Sequence, residues 1–144
     1  MGIFGCKVVT DNILEKKCSK NLVLNAKKKL IQNKFLVHIL DVPGVYEIPV
    51  AIKKNIKKYD GFVALGCVIK GETPHFDFIC SSVFNSILSI STNYSKPIGN
   101  GIITALNINQ AKNRSAINNK NKPNKGSEAA NAVIMILKNE PKKI

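Results

Sequence analysis

The sequence predicts an α/β fold built on a parallel sheet, and three observations carry that prediction. Segments with strand character alternate with segments of helical spacing along the chain. Residues 35–40 form an apolar six-residue run that includes His38, as suits a strand buried on both faces, and residues 61–69 form the clearest strand of all. The length, 144 residues and 15.8 kDa, is close to the commonest size of one domain, so a single unit over residues 1–144 is expected.

The elements follow in order. A short strand is expected over residues 7–9. A helix over 19–33 rests on Leu22, Ala26 and Leu30 recurring every four residues with Val23 and Ile31 beside them, and Ser19 can cap its start. After the run 35–40, Asp41-Val42-Pro43-Gly44 must break the strand. A second helix over 47–58 tolerates Pro49 in its first turn and keeps its lysines wet. Strand 61–69 precedes a third helix over 76–90 and a fourth strand over 97–104. Helices over 108–116 and 126–138 flank Asn118-Asn119-Lys120-Asn121-Lys122-Pro123-Asn124, a polar stretch expected to bury nothing and to move freely.

Composition removes several function classes. Hydrophobic residues at 44% and charged residues at 22% fit an ordinary globular chain, and no apolar run approaches the roughly 20 residues of a membrane-spanning helix. The start, Met1-Gly2-Ile3-Phe4-Gly5-Cys6-Lys7, lacks the pattern of a secretory signal, which makes the expected location cytoplasmic. Cys6, Cys18, Cys67 and Cys80 have neither zinc-site spacing nor a disulfide framework and read as reduced, mostly buried small hydrophobes. The net charge of +13 raises nucleic acid as a partner. The lysines, however, fall in short groups along the whole chain with no interleaved aromatics to stack on bases, so no specific nucleic-acid binding is expected.

Open parallel sheets bind ligands at the carboxyl ends of their strands, and three such segments stand out. In Gly71-Glu72-Thr73-Pro74-His75-Phe76, threonine then proline reads as an N-cap followed by the first helical position. The free N–H groups of a helix start seat an anion such as phosphate, and His75 in that first turn can take and return a proton near pH 7. The same residues serve equally as a plain cap and a polar first-turn side chain. In Val42-Pro43-Gly44-Val45-Tyr46-Glu47-Ile48-Pro49, two prolines and a glycine fix a rigid loop that can present backbone groups to a flat heterocycle, with Glu47 accepting from ligand hydroxyls. A structural turn is the competing reading. Arg114 is the only arginine among twenty-two basic residues, and its planar fork matches phosphate oxygens as lysine does not. Lys125-Gly126 stands at the entry of the last helix, as a ligand contact or as a helix start. His38 reads as a satisfied interior or interface histidine.

Taken together, Val42 to Pro49, the run Tyr59-Asp60-Gly61-Phe62-Val63-Ala64-Leu65-Gly66-Cys67-Val68-Ile69-Lys70-Gly71-Glu72-Thr73-Pro74-His75-Phe76-Asp77, then Pro97-Ile98-Gly99-Asn100-Gly101-Ile102-Ile103-Thr104 and Asn124-Lys125-Gly126 resemble the lumazine synthase family of riboflavin biosynthesis. The resemblance implies a flavodoxin-like three-layer sandwich with a four-stranded parallel sheet. It implies condensation of 5-amino-6-(D-ribitylamino)uracil with 3,4-dihydroxy-2-butanone 4-phosphate to 6,7-dimethyl-8-ribityllumazine, phosphate and water, with no cofactor and no metal ion. By the same resemblance, Val45, Tyr46, Glu47, Cys67, Val68 and Ile69 hold the pyrimidine and ribityl chain. Glu72 and Thr73 hold phosphate and His75 is the proton donor. Asn100 and Arg114 come from the neighbouring subunit, Arg114 to the phosphate, and Lys125 lies near the substrate.

One departure concerns the stretch after the first strand, where the family carries an aromatic that stacks on the pyrimidine. Here it reads Thr10-Asp11-Asn12-Ile13-Leu14-Glu15-Lys16-Lys17, and the expectation is either that Leu14 or Ile13 substitutes by apolar contact or that the N-terminal region has drifted and activity is reduced. The implied partners are small-molecule substrates and further copies of the chain, as a pentamer or a sixty-subunit shell of pentamers. The alternative from another class is a noncatalytic α/β module that binds a flavin-like or phosphorylated ligand, or RNA.

Overall fold

In a computed structural model, which describes residues 2–11, 16–117 and 123–139, four parallel strands carry helices on both faces. In chain order these are β1 (Gly5–Asp11), α1 (Lys16–Gln32), β2 (Leu36–Val42), a 3-10 helix (Val45–Glu47) and α2 (Ile48–Lys54). They continue with β3 (Gly61–Ile69), α3 (His75–Tyr94), β4 (Ile98–Ala105), α4 (Ile108–Ser115) and α5 (Lys125–Lys138). The sheet order is β2-β1-β3-β4, a three-layer α/β sandwich. Alternation along β3 divides the core: Val63, Leu65 and Cys67 pack with α1, α4 and α5, whereas Phe62 and Ala64 pack with α2 and α3. In this central strand the first seven residues are all buried.

The structure corrects several expectations. β2 is an edge strand paired only with β1, so its apolar run is not covered on both faces: Leu36 is 57% and Ile39 41% exposed. β2 also continues through Asp41 and Val42, and the break falls at Pro43. The second helix is shorter than residues 47–58. The chain enters it through the 3-10 turn, with Pro49 in the first turn of α2, and leaves it at Asn55, which lets Ile56 fold into the core. β1 is longer than residues 7–9, and α3 runs past residue 90 to Tyr94, ending where Ser95 takes a left-handed conformation, φ 51°.

Two assigned caps differ as well. Ser19 lies inside α1, and its Oγ donates to Asp11 Oδ1 at 2.9 Å instead of capping the helix. Pro74, not Thr73, is the N-cap residue of α3, without a side-chain cap bond, and His75 is the first helical residue. Asn124 is only 5% exposed, contrary to a stretch that buries nothing, because its side chain accepts from Gly126 N and Ser127 N and donates to Ser115 O. Residues 118–122 of that stretch lie outside the described residues.

Candidate active site

Parallel pairing brings the strand ends together: Thr10 pairs with Leu65, Val68 with Thr104 and Ile69 with Ala105. Three expected site segments leave this rim. Cys67 is buried and Val68 and Ile69 are half-buried at the end of β3. Beyond Ile69, Glu72, Thr73 and His75 are all exposed, and His75 opens the twenty-residue α3. The unpaired N–H groups of that helix start therefore face solvent beside a free imidazole and a hydroxyl, an arrangement able to receive an anion and move a proton.

Beyond β2, the 3-10 helix buries Val45 and leaves Tyr46 66% exposed, with Glu47 half-buried. Tyr46 and Glu47 line a cavity of about 330 Å³ with Pro49, Val50, Ser82, Val83 and Ser86, between α2 and α3. Ser82 stands about 10 Å along α3 from His75, at about 1.5 Å per residue. Ser82 and Ser86 escaped notice in the sequence because hydroxyls scattered on a helix carry no spacing signal.

Asn100 stands back from this cluster, whereas Arg114 borders the rim from α4, lining a cavity of about 420 Å³ with Thr104, the β4 partner of Val68. Asn100 pairs with Ala64, five residues short of Ile69, roughly 16 Å down the sheet at about 3.3 Å per residue. Its Oδ1 accepts from Ile102 N at 3.1 Å. Arg114 is exposed on α4, in the layer opposite α3, and shares a cavity of about 190 Å³ with Pro123, Lys125 and Glu128. Asn124 joins these two cations, tying the end of α4 at Ser115 to the start of α5 at Gly126. Leu14 lies outside the described residues. His38 is exposed rather than interior, with Nδ1 2.8 Å from the Tyr59 hydroxyl.

A residue the sequence did not single out lies beneath the rim. Asp11, 4% exposed, accepts from Ser19 Oγ at 2.9 Å and from Cys67 N at 3.1 Å. Burial pushes its carboxyl above the ordinary aspartate value, against the pull of those two hydrogen bonds. A lone aspartate after a short strand looks like a turn residue, and nothing in its spacing marks it. Among the cysteines, Cys6, Cys18 and Cys67 are buried and outside any disulfide, and burial together with Asp60 pushes Cys6 up to about 12, which makes it inert at neutral pH.

Residues 9–140 match the model of the family described as 6,7-dimethyl-8-ribityllumazine synthase. The chain belongs to that family. Similar relatives carry the same description: one from Lactiplantibacillus plantarum is 36% identical over 83% of this chain and 76% of its own length. Another, from Afipia carboxidovorans, is 40% identical over 81% of this chain and 74% of its own. The match to a relative from Corynebacterium kroppenstedtii, at 43% identity, covers 68% of this chain and 61% of that protein. Membership makes the chain an enzyme, a transferase of riboflavin biosynthesis acting on small molecules, and the α/β sandwich is the fold that goes with lumazine synthesis. The rival reading as a noncatalytic binding module has no support among these relatives. Among the described residues no helix is long and apolar enough to cross a membrane.

Proposed function

We propose that this chain, as one domain over residues 1–144, condenses 5-amino-6-(D-ribitylamino)uracil with 3,4-dihydroxy-2-butanone 4-phosphate at the rim formed by β3, the 3-10 helix and the start of α3. The observation that carries this reading is the succession of a half-buried strand end, Val68-Ile69, an exposed Glu72-Thr73 turn and His75 at the first helical position. In the reaction an amine attacks a ketone, water leaves, phosphate is expelled and a ring closes. Most of the acceleration comes from orientation and proton transfer.

Val45, Tyr46, Glu47, Cys67, Val68 and Ile69 hold the pyrimidine and its ribityl chain, with the Glu47 carboxylate accepting from hydroxyls. The α3 start, with Glu72 and Thr73 beside it, holds the phosphate, and His75 donates the proton. Phosphate leaves more readily when its charge is met by a guanidinium and by helix N–H groups. In this proposal Arg114 and Asn100 are delivered by a neighbouring copy, together with Lys125 beside Arg114; Asn100 lies well down the sheet from Ile69, and Arg114 projects from α4 in the layer opposite α3.

The assembly we propose is a homo-oligomer, a pentamer that can close into a sixty-subunit shell, located in the cytoplasm. Exposed apolar side chains on α3, Phe78 at 69% and Leu88 at 64%, support burial between copies. The partners are substrates and sister chains, without a specific nucleic acid. Mixing the purified protein with both substrates tests the reaction. Growth of lumazine absorbance and fluorescence is expected, and its absence under conditions where another member of the family turns over would refute the reading.

A further inference from the structure

The buried carboxylate of Asp11 has no part in the mechanism above, yet it lies where the heterocycle-binding segments converge. It ends β1, accepts from Ser19 in α1, and accepts from the backbone N–H of Cys67 in β3. Gly66 shows how tightly these pieces meet: a Cβ there would lie 2.6 Å from Val45 Cγ1 and 2.8 Å from Asp11 Oδ2. Asp11 thus bonds the strand that ends in Val68 and Ile69, and it and Val45, of the turn that presents Tyr46 and Glu47, both pack against Gly66 of that strand. With two oxygens and no proton, only the ionised carboxylate accepts both bonds in full.

We propose that Asp11 is a positioning residue for the pyrimidine substrate, its carboxylate fixing the Cys67 backbone relative to the Val45–Glu47 turn; this rests on the function proposed above. A buried ionised group is costly to keep, and burial already raises its proton affinity. What ties it to this junction is geometry, one carboxylate oxygen accepting from Ser19 Oγ and the other from Cys67 N. Asp11 and Ser19 line a cavity of about 300 Å³ with Lys20 of α1 and Asp41 of β2, while the backbone of Cys67 in β3 bonds the carboxylate.

The test is calorimetric binding of 5-amino-6-(D-ribitylamino)uracil to the full assembled protein, wild type against Asp11→Asn and Ser19→Ala, with steady-state kinetics alongside. Asn keeps the volume but cannot accept at both positions. Pyrimidine affinity is expected to fall about tenfold in Asp11→Asn, the scale of one hydrogen bond to a charged group, and about threefold in Ser19→Ala. The KM of the butanone phosphate should stay within about twofold, since only the heterocycle end is disturbed. Wild-type pyrimidine affinity should weaken toward acid as Asp11 protonates, and this loss should be smaller in Asp11→Asn, where Glu47, Lys20 and Asp41 remain. Unchanged pyrimidine affinity in both variants would overturn the inference, as would equal losses for both substrates with a lowered Tm. If Asp11→Asn does not fold, Ser19→Ala decides by the same split. Failure of the wild type to form lumazine while binding the pyrimidine would count against the reaction and leave the role of Asp11 to the titration.

Discussion

His75 opens α3 just beyond the Glu72-Thr73 turn, so removing its ring deletes a proton carrier and leaves the anion seat standing. His75→Ala should therefore lower kcat by about 100-fold or more while both KM values stay near wild type, measured by steady-state lumazine formation. Arg114→Ala should do the opposite, raising the KM of the butanone phosphate by about tenfold or more, the scale of lost charge-assisted bonds. An unchanged phosphate-substrate KM would remove Arg114 from the site. Asp11 adds a pH dependence of stability. Its carboxyl is raised above the ordinary value of 3.8, so above that pH the folded chain holds a proton that the unfolded chain has lost. Stability against unfolding thus falls as pH rises from about 4 through the raised value, then levels. Urea unfolding across that range should show this decline in wild type and not in Asp11→Asn; parallel curves would contradict it.

Asn124 binds two elements at once, accepting from the first N–H groups of α5 and donating to the last turn of α4. Asn124→Ala should cost about 1–2 kcal/mol, read from thermal or denaturant unfolding. It should also weaken the phosphate substrate, because Arg114 and Lys125 hang from the two ends it joins. Much at this scale was legible in the sequence. Strand Gly61–Ile69 matches its apolar run, because a central strand reads as continuous hydrophobicity. β2 reads the same way, yet it lies at the edge, since strand order depends on pairing between distant segments and not on local composition. Thr73 and Ser19 both satisfied the local rule for a cap, and tertiary geometry placed one outside the helix and turned the other toward Asp11. Motif-bearing loops were found because proline, glycine and histidine are rare enough to be seen; the bonds of Asp11 to Ser19 and Cys67, and the place of Ser82 and Ser86 on a cavity wall, are set by the fold and leave no local trace.

A net charge of +13 on every copy multiplies in any homo-oligomer. Acidic polymers such as RNA should adhere at low ionic strength and be released as salt rises, with filter binding as the readout. An affinity that holds from low to high salt would point instead to a specific nucleic-acid site. The larger claim is that a working site needs two chains, one giving His75 and the next giving Arg114. Co-assembly of His75→Ala and Arg114→Ala chains measures this directly. If the parts come from different copies, the two impaired parents, mixed in equal amounts, reassembled and assayed with butanone phosphate well below its KM, should recover about one quarter of wild-type turnover, above either parent, since random neighbours pair the intact halves in that share of interfaces. A mixture no more active than its parents would contradict a site shared between chains.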